Sequence, residues 1–143
     1  MTDSPKRPRT ISLVLLLLVV LGAIQLATVV ALSRQSALLL DLQVKPDPRL
    51  RMIIAVVWTA VFWGSAIALR HKLPATRWLI PLFLALNAFY GMAIRGLFVQ
   101  VPISGDQWLL HSLFAAALIL FAWWALNRDA ARYYYLEDKL ADA

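Results

Sequence analysis

Residues 10–33, TISLVLLLLVVLGAIQLATVVALS, run for 24 positions without a charged side chain. A helix rises about 1.5 Å per residue and the hydrocarbon core of a bilayer is about 30 Å thick, so a run of about 20 apolar residues crosses it. Outward from this stretch, charges cut the chain into three similar runs: 18 residues between Arg51 and Arg70, 17 between Arg77 and Arg95, and 21 between Asp106 and Arg128. Within hydrocarbon every backbone amide must be paired inside its own segment, which selects helices. The expectation is an all-α membrane protein, with four transmembrane helices in a compact bundle. The spans fall at about 11–33, 48–70, 77–98 and 106–127, between a basic tail over 1–10 and a second tail over 128–143.

Composition agrees with this reading. Of 143 residues, 62% are hydrophobic and 15% charged, where a soluble domain carries about 25% charged residues. Four spans take up most of that length, which excludes a separate extramembrane catalytic domain among these residues. The absence of cysteine excludes thiol nucleophiles, iron–sulfur ligation and disulfides. A cleaved signal peptide is the competing reading of the first run, but 24 uncharged residues exceed the usual 7–15 apolar residues of such a segment.

Local chemistry marks the helix ends. Asp47 and Pro48 read as N-cap and first residue of the second span, since the carboxylate accepts an orphan amide and proline lacks one. Pro74 and Thr76 do similar work for the third span, and Pro81 falls in its first turns. Ser104 and Gln107 form a capping-box pattern before the fourth. Ser36 to Val44, rich in leucine around Asp41, reads as a short outer interfacial segment between helices 1 and 2. The tail from Arg128 extends the fourth helix, with Tyr133, Leu136 and Leu140 on one narrow stripe and the tyrosines at head-group level.

Nine of the 14 basic residues belong to the two tails and the connection between the second and third spans, against five on the opposite side. Lysine and arginine in short loops favour the cytoplasm, so both termini are expected there. The net charge of +6 implies contact with anionic lipids and no nucleic-acid binding.

Inside the membrane, helices associate through close backbone approach and a few hydrogen bonds. Ala23, Ala27 and Ala31 form one row of small residues, Ala60, Gly64 and Ala68 a second, and Ser112 with Ala116 a smaller patch. These rows are expected to pack the bundle or a neighbouring subunit. Gln25 and Thr28 share a face, as do Asn87, Tyr90 and Gly91, which suits interhelical hydrogen bonds. Trp78, Trp108, Trp123 and Trp124 lie near span ends, as an interfacial belt requires. Trp58 and Trp63 lie deeper, suited to lipid, packing, or contact with a partner helix, quinone or pigment.

All eight acidic residues lie outside the uncharged runs, so none is placed for proton or cation coupling near the bilayer midplane. His71 and His111 are expected on opposite sides of the membrane, unable to share a metal or haem. No phosphate-binding loop, HExxH or GxSxG motif occurs. No catalytic residue, cofactor or metal is expected. An enzyme would need Arg95, Asp106 and His111 to converge at the outer rim.

An Arg-Pro-Arg start, the Trp-rich second span, the Arg77-Trp78 turn and the closing run from Asn127 to Tyr133 together resemble small four-helix integral membrane proteins of Chloroflexota-type bacteria, a group with no assigned activity. The resemblance implies a bacterial cytoplasmic (inner) membrane and gives no residue a role. The expected function is a non-catalytic accessory or assembly subunit of a larger membrane complex of respiratory or photosynthetic type, with other membrane subunits as partners. The alternative is a carrier or binder of lipid, quinone or a small apolar solute. Its candidate contacts are Gln25, Trp58, Trp63, Asn87, Tyr90, Arg95 and His111, with Gln25, Asn87, Tyr90 and the deep tryptophans lining a cavity.

Overall fold

The computed structural model describes residues 8–41, 47–98, 105–129 and 131–135, without the side chains of 36–41, 98, 105 and 106. Four long helices follow one another, α1 (Arg9–Asp41), α2 (Pro48–Arg70), α3 (Thr76–Phe98) and α4 (Gly105–Asn127), and the described residues contain no strand. Each is long and apolar enough to cross a membrane.

The helix ends follow the local chemistry. Asp47 Oδ1 accepts the amide of Arg49 at 2.8 Å, with Pro48 in the first helical position. At the other end of α2, the amides of Lys72 and Leu73 close onto the carbonyls of Leu69 and Ala68 at 3.1 Å each, a Schellman arrangement. Lys72 occupies its left-handed position with φ 55°, where glycine is usual. α3 begins at Thr76, whose hydroxyl donates to Leu73 O at 2.7 Å. Pro81 lies inside α3, where its missing amide removes the usual bond to the Arg77 carbonyl one turn back. Ser104 of the expected capping box lies outside the described residues.

α1 differs from the sequence reading. It runs unbroken for 33 residues, so the stretch from Ser36 to Asp41 is the end of the first helix and no separate interfacial segment. The physical reason is that Arg34 ends the uncharged run without ending the helix. Arginine, alanine and leucine are strong helix formers, and no glycine or proline occurs from Ala23 to Lys45. Leu42 to Val44 lie outside the described residues.

Sequential helices are antiparallel. α1 packs most closely on α2 and α3 on α4, and the two hairpins meet along α2–α3 and α1–α4. The largest fully buried side chains are Ile11, Val14, Leu18, Phe62, Leu69, Ile80 and Leu126. All belong to the half of the bundle nearer the termini. Ile11, Val14 and Leu18 recur at helical spacing and face Phe62 and Leu69 of α2 and Ile80 of α3 in one cluster. In the far half the buried side chains include Leu32 of α1 and Pro48 and Ala55 of α2. There, no described residue of α3 beyond Leu84, nor of α4 before Ala122, is buried. The bundle is sealed at one end and open between α3 and α4 at the other.

Candidate functional site

The opening is a cleft of about 230 Å³ between α3 and α4, floored by Leu21 of α1. Ala88, Gly91 and Ala115 put little side-chain bulk into it, and nothing lies within 4 Å of the Cβ position of Gly91. Phe114, Leu118 and Ile119 supply apolar lining from α4. Its polar members are Asn87, Arg95 and His111.

Each polar group has a definite setting. Asn87 Oδ1 accepts from Gln25 Nε2 at 3.1 Å, a bond that crosses the bundle from α1 to α3. The His111 Nδ1–H donates to Gln107 O at 2.7 Å, one turn back on α4, because a carbonyl can only accept. Ser112 donates to Trp108 O at 2.9 Å. Arg95 is exposed at the rim. The side chain of Asp106 lies outside the description, so of the three residues an enzyme would need, the structure brings together Arg95 and His111.

The remaining candidates are placed elsewhere. Gln25 touches the cleft only through Asn87, and Tyr90, Trp58 and Trp63 do not line it. Trp58 stacks on Phe62 with ring centroids 5.6 Å apart, against the core cluster. Trp63 sends its indole to α1, where Nε1–H donates to Val19 O at 3.4 Å. Of the residues expected to line a cavity, Asn87 lines this cleft, while Trp58 and Trp63 pack against Phe62 and α1 instead. His71 caps α2 at the end opposite His111. Among the described residues no three His, Cys, Asp or Glu gather as metal ligands.

The end nearest the termini carries a second polar cluster that sequence reasoning missed. The chain bends at Arg128 and returns as a further helical turn, with Tyr134 and Tyr135 buried and Tyr133 exposed. Tyr135 and Thr76 share a hydrogen bond of 2.9 Å, and the Tyr134 hydroxyl donates to Arg70 O at 3.5 Å. Lys72 Nζ lies 5.2 Å from the Tyr134 ring centre, within cation–π range. Burial pushes the Tyr135 phenol up from its ordinary value, an effect Tyr134 adds to and the Thr76 hydrogen bond and Arg77 charge oppose. Beside it Arg77 donates to Asn127 Oδ1 at 3.1 Å, and Trp78 meets Trp123 edge-on at 4.7 Å. Two of the three tyrosines thus tie the tail to the α2–α3 turn. No signal in the sequence pairs positions 59 and 64 residues apart.

Of the two roles expected of the small-residue rows, packing within the bundle is not met. Ala23, Ala27 and Ala31 are all exposed, as are Ala60, Gly64 and Ala116, while Ala68 and Ser112 are half-buried.

The fold and the apolar spans define a multi-pass helical membrane protein. No protein-family model, curated protein or solved structure matches the chain.

Proposed function

We propose that the chain is a non-catalytic accessory or assembly subunit of a larger membrane complex of respiratory or photosynthetic type. Its seat is a bacterial cytoplasmic membrane with both termini inside, supported by the nine-to-five division of basic residues. The observation that carries the reading is the outward placement of the small-residue rows, Ala23, Ala27 and Ala31 on α1 and Ala60 and Gly64 on α2. Nothing lies within 4 Å of the Cβ position of Gly64. Lipid tails are as apolar as leucine, so helices gain most where small residues let backbones approach. These rows leave that approach open to another chain. Only 17–22% of the most apolar stretch of each span is buried within the bundle, which leaves ample surface for partners.

A photoreactive side chain placed at Ala27 or at Gly64 and irradiated in native membranes tests this. The expected product is one protein adduct of discrete mass, absent when the same group replaces Leu13, a large exposed residue of α1. Lipid adducts alone at both small-residue positions would rule the reading out.

A further inference from the structure

We propose that the cleft between α3 and α4 is a binding site for one acyl chain of an anionic phospholipid whose phosphate is held by Arg95. This goes beyond the subunit reading and holds whether or not other chains are present.

Depth is the first argument. The cleft runs along α3 from Leu84 to Arg95, a rise of about 16 Å at about 1.5 Å per residue. That is about half of a 30 Å hydrocarbon core, the reach of one leaflet's acyl chain. Width is the second. The volume of about 230 Å³ is below the usual range of about 300–1,000 Å³ for pockets that enclose a whole drug-sized ligand, and it suits a single chain. Leu21, Leu84, Phe114 and Leu118 line the slot with hydrocarbon, while Gly91 contributes no side chain to fill it.

Charge is the third argument and selects the head group. Arg95 ends the cleft at the far rim, and among the described lining residues none is acidic. A guanidinium presents a fork of donors that matches two phosphate oxygens. His111 stands at the same rim with Nδ1–H already bonded to Gln107 O, which leaves Nε2 as its remaining polar atom. A neutral quinone or apolar solute would bring no counter-charge to Arg95.

The test uses the full chain in nanodiscs of phosphatidylcholine with a minor share of phosphatidylglycerol, released into mild detergent for native mass spectrometry. One phospholipid should remain per chain, with phosphatidylglycerol enriched about fivefold over its share in the bilayer, the effect of one basic residue near the surface. Arg95→Gln should retain a lipid but lose the enrichment. Gly91→Leu, whose side chain enters open space, should lose both lipids while keeping the helicity and size of the parent. Arg34→Gln, at the same end of the bundle but outside the cleft, should change nothing. The proposal is overturned if the parent retains no lipid or holds phosphatidylglycerol only at its bulk share. It is equally overturned if Gly91→Leu retains lipid normally, or if Arg34→Gln removes the enrichment as fully as Arg95→Gln.

Discussion

The indole of Trp63 occupies the space beside Gly22 that any side chain at residue 22 would need, and its Nε1–H reaches the backbone carbonyl of Val19 at 3.4 Å. This large-against-small contact fixes the register of α1 on α2. It also commits to packing a tryptophan that the sequence left open for a quinone or pigment.

Gly22→Leu is therefore expected to destabilise the protein by about 1–3 kcal/mol, the usual cost of overpacking. Adding Trp63→Ala should recover part of that loss, since the two residues share one contact. Denaturant titration in detergent, followed by circular dichroism, measures both.

Gln25 and Asn87 satisfy each other across the bundle. Gln25→Leu leaves the Asn87 carboxamide short of a partner and should cost about 0.6–2 kcal/mol, the range for interhelical hydrogen bonds in membranes. The Gln25→Leu, Asn87→Leu double variant should lose less than the sum of the single losses, which a double-mutant cycle reads directly.

The sealed and open halves should respond differently to truncation. Phe62 is fully buried, so Phe62→Ala should cost about 3–5 kcal/mol. Phe114 is exposed at the cleft, and Phe114→Ala should stay within about 0.5 kcal/mol. Equal losses in thermal unfolding would contradict the uneven core.

Tyr135 gives the protein an alkaline limit. Burial raises its folded-state pKa above the ordinary value of about 10, so the unfolded chain releases the phenolic proton first. This contribution to stability is fully present below about pH 10 and is lost as pH rises through the folded value. Tyr135→Phe should flatten the decline in melting temperature above pH 10 relative to the parent, at the cost of the Thr76 hydrogen bond at neutral pH.

What was legible in the sequence was whatever one helical turn decides. The four spans, the Asp47–Pro48 start of α2 and the start of α3 at Thr76 each depend on neighbouring residues. The continuation of α1 to Asp41 was masked because a charge at Arg34 marks hydropathy and not helix termination. The face of α1 that packs on α2 lies one position from the small-residue row. Gly22 makes the close contact, and the Ala23, Ala27 and Ala31 row beside it, turned by about 100°, faces outward. Of the cleft, Asn87, Arg95 and His111 stood out as polar residues in apolar surroundings. That they share one opening depends on how α3 and α4 splay, which no local pattern encodes.

On the proposed function, the outward faces of α1 and α2 seat the chain in a larger assembly. Gentle extraction of tagged protein from its native membrane into polymer discs, followed by a native gel and mass spectrometry, tests this. The expected result is co-migration with one defined, larger complex in near-stoichiometric amount. A free species of 16.1 kDa, or a small oligomer of this chain alone, would contradict it.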